Sequence, residues 1–448
     1  MTDRLETLTA KLIAAARKAG ADAADAMAVH GTSISVDVRA GKLEQAERSE
    51  GTEIGLRVLL GQRQASVSAS DISERTITKM AERAVAMARE APVDDSVGLA
   101  DPSQLANGWN LAALDLVDPS PEPEPAVLED DARRAETAAL SIKGVSQCQS
   151  SSAGFGRRSL HLAATNGFSG GYTRSSRSVS SVAISGEGLT MERDWAAESR
   201  TFQADLPCPE EIGQLAGARA AGRSGARKPK TGAYPVVFDE RIAAGLIGHL
   251  LAAINGSAIT RGASWLRDKL GARVLPAGLS ILEDPHRPRI SGSRPFDGEG
   301  LPTRPRTIVD RGVLAGWTLD LGTARRLGMV STASASRGVS APPTPSVSNV
   351  ALTQGTQSKA ELLADMGTGL LITSMIGSSI NPTTGDYSRG ASGFWVENGQ
   401  ITYPVNECTI AGNLCDMLMR ITPANDARAH LSHMVPSLLV EGLTLAGA

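Results

Sequence analysis

Aromatic side chains make up only 3% of this 448-residue chain. Its core must therefore be packed from Ala, Leu, Val and Ile. Cysteine is nearly absent. Cys148, Cys208, Cys408 and Cys415 are irregularly spaced, which excludes a disulfide framework and the tight pairs of a zinc ribbon. Reduced thiols in a cytoplasmic protein are the natural reading, with Cys408 and Cys415 as small apolar filler. No apolar run approaches a membrane span, and the first residues carry acidic and polar groups within a helical pattern, so neither membrane nor signal peptide is expected. Neither sign of charge dominates. Lys and Arg number 45 against 48 Asp and Glu, for a net charge of −3, which argues against a nucleic-acid partner. Catalytic fingerprints are missing too. There is no P-loop, and Gly367-Thr368-Gly369 lacks the third glycine of a dinucleotide site and reads as a turn before a strand. In Gly390-Ala391-Ser392-Gly393 the second glycine comes one place early for a nucleophile elbow.

What is present fits a globular protein: 41% hydrophobic and 21% charged residues, in a chain too long for one ordinary core. Leu5, Leu8, Leu12 and Ile13 mark one face of a helix that Gly20 ends. Ser33–Val38 alternates as a strand does. Two further strands, Gly51–Leu60 and Gln64–Ser68, flank Gly61-Gln62. Asp71-x-x-Glu74 predicts a capping box for a helix reaching about residue 90. Prolines 119, 121, 123 and 125 mark a linker. A short helix over about 126–141, a Ser/Thr/Gly-rich strand region over 145–201 and a helix over 209–227 follow. The two helix–strand–helix units invite comparison as a repeat, but no residue-level repeat is visible. Tyr234–Phe238 reads as a buried strand. The expected fold class is α+β: N-terminal helix/antiparallel-strand units, then a strand-rich C-terminal domain with mixed or antiparallel sheets. The expected domains are 1–114, a linker over 115–125, a middle strand-rich domain over 126–230 packing with the first, and 231–448.

The richest segment is 377–413. Asn398-Gly399 supplies two positive-φ positions for a type I′ hairpin. A two-residue loop would pair Val396 with Ile401, Trp395 with Thr402 and Phe394 with Tyr403, placing Phe394, Val396, Ile401 and Tyr403 on one face. Upstream, Asn381-Pro382, Thr384-Gly385 and Gly390 read as a polar, turn-dense loop, a frequent place for a site. Its glycines allow close backbone approach, and its hydroxyl and amide groups suit peptide N–H and C=O groups. Ser378, Ser379, Asn381 and Gly390 are the expected substrate-binding residues. The alternative is that the loop only closes a strand connection. Strands with a free edge in the second half would accept an extended peptide as an added strand, unless neighbouring strands or a partner cover that edge. Thr307–Val309 and Val313–Gly316, around Arg311-Gly312, predict another hairpin. Phe296-Asp297-Gly298-Glu299-Gly300 places two carboxylates in a loop, suited to a cation or to acid–base work, though a solvated turn is the commoner outcome.

The run from Gly377 through Asn381-Pro382, Gly385-Asp386-Tyr387-Ser388, Gly390-Ala391, Gly393, Trp395 and Glu397-Asn398-Gly399 resembles the TldD/PmbA family, on its PmbA (TldE) side. Phe296–Thr303, Ile308–Leu314, Pro345–Asn349, Asn166-Gly167-Phe168 and Met191–Trp195 agree in order and spacing. The resemblance implies a cytoplasmic peptidase system in which a metal-bearing TldD-type chain pairs with a PmbA-type chain. It also implies small unfolded peptides as substrates. A TldD-type chain carries His-Glu-x-x-x-His on the helix spanning about Asp239–Ile254, where two His ligate zinc and the Glu acts as base. Aligned on Thr260–Ser264, this chain has Ile247, Gly248 and Ala252 at those places. His249 is a lone histidine. The late cysteine ligand of TldD-type chains is also missing, because residues 427–440 contain none. His430 and His433, with Asp426 nearby, are an i,i+3 pair worth testing as a chelate. The resulting expectation is a non-metal-bearing subunit of a heteromeric metallopeptidase, with no catalytic or metal residue of its own and zinc in the partner. A homodimer is a further option. The competing readings are an autonomous homodimeric hydrolase with an unrecognised site and a non-enzymatic peptide-binding regulator.

Overall fold

The computed structural model describes residues 2–447. Leu5, Leu8, Leu12 and Ala16 lie on one face of helix α1 (Thr2–Lys18) and are buried. Gly20, at φ +94°, lets the chain turn directly afterwards. Strands β1 (Ala23–Arg39), β2 (Lys42–Leu60) and β3 (Arg63–Ala69) form a meander followed by helix α2 (Glu74–Glu90). The cap of α2 is Ser73, whose side chain accepts the Thr76 N–H, and not Asp71. Asp71 instead accepts from the Ser73 N–H at 2.9 Å. It serves the loop before the helix, so the expected Asp71–Glu74 capping box does not form and the cap lies two residues later, at Ser73. After a short turn of helix, α3 (Leu111–Leu114), the same order recurs: α4 (Pro125–Leu140), β4 (Val145–Ala164), β5 (Ser169–Ser185), β6 (Glu192–Arg200) and α5 (Pro209–Gly222).

The two meanders join through β1 and β4, antiparallel, into one six-stranded sheet of order β3-β2-β1-β4-β5-β6. The topology is symmetric about the β1–β4 pair, although no residue-level repeat betrays it. All four long helices cover one face. α1 and α2 pack on Ala24, Ala26, Ala28 and Ile54, while α4 and α5 pack on Val36, Val38, Val179 and Ala196. Alanine dominates both layers, as the shortage of aromatics requires. Gly213 lies so close to α4 that a Cβ there would sit 2.0 Å from the Ala135 carbonyl oxygen.

The second half begins with β7 (Gly232–Phe238) and helix α6 (Glu240–Ala253), which Asp239 caps by accepting the Arg241 N–H. After the short helix α7 (Gly256–Thr260) come small strands: β8 (Ile281–Glu283), β9 (Arg306–Asp310), β10 (Val313–Leu314), β11 (Ala335–Ser336), β12 (Thr344–Pro345) and β13 (Val350–Leu352). Long strands then return as β14 (Gly369–Ile380), β15 (Asp386–Glu397) and β16 (Gln400–Asn413), with β17 (Ile421–Pro423), β18 (His433–Met434) and β19 (Leu438–Ala446) behind them. The main C-terminal sheet runs β16-β15-β14-β7-β19-β17. β14 is parallel to β7 and the other neighbours are antiparallel, so the α+β expectation of mixed sheets holds. Thr409–Ala411 of β16 also pair with Thr444–Ala446 of β19, which closes five strands into a ring. The closure is partial: β14 meets β7 only at Leu370–Ile372 and β16 meets β19 only at Thr409–Ala411, so residues 373–380 of β14 have no strand partner on that side among the described residues.

Asn398 and Gly399 take φ +53° and +76°, as the type I′ turn requires. Val396 faces Ile401, but the register then slips, and Trp395 faces Tyr403 while Phe394 faces Pro404. The expected single face of Phe394, Val396, Ile401 and Tyr403 is therefore broken two pairs from the turn. The Thr402 hydroxyl donates to the Trp395 carbonyl at 3.1 Å, and Trp395 stacks on Tyr403. No helix among the described residues is long and apolar enough to cross a membrane.

Candidate functional site

Opposite its helices, the six-stranded sheet shows a face of small polar residues. Gly31, Ser33 and Ser35 on β1 stand in register with Arg158, Gly156 and Gly154 on β4, and those with Arg174, Ser176 and Ser178 on β5. A Cβ at Gly154 or Gly156 would meet the Ser178 or Ser176 hydroxyl at 3.0 Å, so glycine makes room for the serine row. Along β6 burial alternates. Asp194 and Ala196 face the helices, and Arg193, Trp195, Ala197 and Ser199 face outward. No strand among the described residues pairs with the outer side of β6. At the opposite end of the sheet, β3 is the terminal strand, and residues 42–53 of β2 beyond it are unpaired on that side, are exposed and carry Lys42, Glu44, Glu47, Arg48, Glu50 and Glu53, a charge density that discourages strand addition.

A cavity of about 910 Å³ lies where the β6 end of this face meets the C-terminal ring. Val182 and Ile184 of β5, Met191 and Trp195 line one wall, and Ile376, Gly390 and Ser392 the other. Trp195 and Ile376 are 51% and 77% exposed, so an apolar surface is open to whatever enters. Charge fixes the two walls together. Arg223 of the α5 terminus donates to the Ser392 hydroxyl at 2.9 Å and lies 3.4 Å from Glu192 and 3.7 Å from Asp194. Asp194 also pairs with Arg241 at 3.0 Å, and Arg241 with Asp239 at 3.1 Å. These are nearly buried groups satisfied by one another, a rigid hinge between sheet and ring.

Of the residues expected to bind substrate, Gly390 lines this cavity. Ser379 is exposed and pairs with Ser388. Ser378 lies in β14, and its side chain is outside the described residues. The segment is a β-hairpin and not a long loop; only 381–385 turn. There the Asn381 side chain accepts the Thr383 and Thr384 N–H groups at 2.9 and 3.3 Å, serving its own turn. The Pro382 carbonyl accepts the Trp265 N–H, fastening the tip to the loop after α7. From sequence, β6 fell within the strand region 145–201, but its outer edge and Arg223 carried no assigned role. The signal was present as alternation of serine and glycine over 150–158 and 174–180, which marks a sheet face too smooth to be core.

The metal expected for this fold does not fit this chain's α6. Ile247 is buried in the core, Gly248 has no side chain, and Ala252 is exposed. His249 packs edge-on to Tyr387 at 5.8 Å. Burial, aided by Arg389, pushes its pKa down. His430 and His433 do not form an i,i+3 chelate. His430 lies 3.1 Å from Glu198, His433 belongs to β18, and Asp426 accepts from Ser437. Among the described residues no three His, Cys, Asp or Glu side chains are grouped to hold a metal ion. Cys408 is buried, with its thiol 3.1 Å from the Ala391 carbonyl, and burial pushes its pKa up to about 11. The solvated turn anticipated at 296–300 is absent as well. Asp297 is 2% exposed, accepting the N–H groups of Glu299, Leu301 and Ala335. Phe296 beside it packs against Trp109, Phe168 and Tyr172, with ring centroids 4.9–5.5 Å away. The loop is a joint between sheet and C-terminal half.

Comparison with known proteins follows the same division of the chain. Family profiles described as PmbA/TldA metallopeptidase domain 1, central domain and C-terminal domain match residues 24–88, 118–223 and 231–447. Metalloprotease PmbA of Escherichia coli O157:H7 is 36% identical over 428 residues, covering 95% of this chain and 92% of that protein. A PmbA homologue of Haemophilus influenzae is 35% identical over 445 residues, covering 96% and 94%. A crystal structure from Bacteroides thetaiotaomicron, described as that of a proposed modulator of DNA gyrase, superposes with a TM-score of 0.92 at 27% identity, covering 100% of this chain and 99% of that one.

Proposed function

This chain belongs to the PmbA/TldD metallopeptidase family, and from that membership we propose that it is the PmbA (TldE)-type subunit of a heteromeric peptidase. In this reading it builds a peptide-binding wall, and a TldD-type partner supplies the zinc and the cleaving machinery. The observation that carries the reading is α6, where Ile247, Gly248 and Ala252 stand at the places the family resemblance gives to ligands and base. The free edge of β6 supports the binding role. An extended peptide laid along it would satisfy main-chain hydrogen bonds irrespective of sequence, while its side chains reach the smooth serine face or the apolar cavity at Trp195 and Ile376. Gly390 and Ser379, on the β14–β15 hairpin, belong to the opposite wall in this reading.

The test is co-expression with a TldD-type chain, followed by metal analysis and a peptide-cleavage assay. The expected result is a stable mixed complex that cleaves unfolded peptides, with zinc accounted for by the partner. His249→Ala in this chain should leave metal content and cleavage within a few-fold of the parent. Stoichiometric zinc in the isolated chain that vanishes in His249→Ala would instead support an autonomous enzyme. Failure to bind the partner would remove the subunit assignment.

A further inference from the structure

Two arginines stand side by side on the smooth sheet face, and among the described residues neither has an acid to answer it. Arg158 on β4 and Arg174 on β5 are directly opposite in register, and Gly31 and Gly51 continue the same row across β1 and β2. Cross-strand neighbours lie about 5 Å apart at Cβ, where like charges repel and cost stability. Among the described residues no carboxylate comes within 4 Å of either guanidinium, by contrast with most arginines of the ion-pair seam at β6. Arg174 is held in place. It donates to the backbone carbonyls of Ser291 and Ser293, the latter at 3.0 Å, and to the Tyr172 hydroxyl at 3.3 Å, and lies over the Tyr172 ring. Arg158 is exposed, and among the described residues its side chain has no hydrogen-bond or ion-pair partner. Both line a cavity of about 550 Å³ whose floor is Gly31, Gly51, Gly156 and the hydroxyls of Ser33, Ser49 and Ser176. Glu53 is the one carboxylate on its wall.

We propose that this cavity is an anchor for a carboxylate, namely the C-terminal carboxylate of a bound peptide, gripped by Arg158 and Arg174. A guanidinium fork matches a carboxylate, and one rigid arginine beside one free arginine is a preorganised half with an adaptable half. The glycine row leaves room for the incoming group, and the serine hydroxyls can serve its remaining lone pairs. The anchor deepens the peptide-binding role proposed above and rests on it. Ser176 and Val182 share the open face of β5, six residues and so about 20 Å apart. An extended peptide anchored at Arg158 and Arg174 would thus reach the apolar cavity at Val182 and Trp195 with about its sixth residue from the end.

Fluorescence anisotropy with the full chain tests this on an unstructured twelve-residue peptide in three forms: free C-terminal acid, C-terminal amide, and amide with glutamate as last residue. The free acid should bind about tenfold more tightly than the amide, or better, which is the size of one charge-assisted hydrogen bond. Arg158→Gln should abolish that preference without lowering the melting temperature, since it also relieves the repulsion. Arg158→Lys, which keeps the charge but not the fork, should retain part of it. Equal binding of acid and amide, unchanged by Arg158→Gln, would overturn the anchor and leave peptide binding standing. Glutamate restoring full affinity would assign the cavity to acidic side chains and overturn the terminal assignment. If no form binds, the peptide-binding role itself fails.

Discussion

Asp297 holds three backbone N–H groups in a place that its neighbours, two glycines and a glutamate, made look wet. Removing the carboxylate by Asp297→Ala would orphan buried donors, and should cost about 3 kcal/mol in denaturant unfolding; a loss under about 1 kcal/mol would show that water replaces it. Glu299 next to it accepts the Leu321 N–H at 2.8 Å. Burial first, then the Asp297 and Asp320 charges, raise its pKa well above the usual value near 4.5. The folded chain thus holds this proton more tightly than the unfolded chain. Its contribution is fully present below the unfolded pKa and is lost as pH rises toward the folded pKa. Glu299→Gln should therefore melt at a higher temperature than the parent near neutral pH and match it near pH 4. Identical melting profiles at both pH values would refute the assignment. Neither role is readable locally. Turn composition reports that the backbone bends, whereas burial depends on Phe296 and Trp109 bringing another part of the chain over it.

Within elements, the β15–β16 hairpin separates what is local from what is not. Asn398-Gly399 is legible because a type I′ turn needs two positive-φ residues in succession, and those two side chains permit it. The slip at Trp395 is not, because it is decided by the Thr402 hydroxyl and by the packing of Trp395 on Tyr403 and Tyr234. Asn381 poses the corresponding question at the other end of β15. Its side chain accepts two N–H groups of its own turn, so Asn381→Ala should lower stability by about 1 kcal/mol. Cleavage by the mixed complex, assayed well below the melting temperature, should be retained. Lost cleavage with unchanged melting would instead place Asn381 among the groups that touch substrate.

For the molecule as a whole, the seam through Asp194 joins the edge strand of the sheet to α6 of the ring. Asp194 is 5% exposed and answers both Arg241 and Arg223. Asp194→Asn leaves buried guanidinium charge under-compensated, a loss of roughly 3 kcal/mol or more. Calorimetry should show the midpoint fall and the sheet half separate from the ring half as a second transition. A single unshifted transition would show that the aromatic joint at Phe296 suffices. The sequence alone determined the α+β class, the order of the main elements of the first half, the Asn398-Gly399 turn and the family resemblance. Each of these follows from residues near one another in the chain: hydrophobic period, turn chemistry, or an ordered run of motifs. Only the tertiary structure decided that two meanders share one sheet, that the C-terminal strands close into a ring, that Asp297 is buried, and that Arg158 meets Arg174 across two strands. Those depend on which distant segments pair, and strand pairing is a choice among many partners whose backbone hydrogen bonds look alike from the sequence.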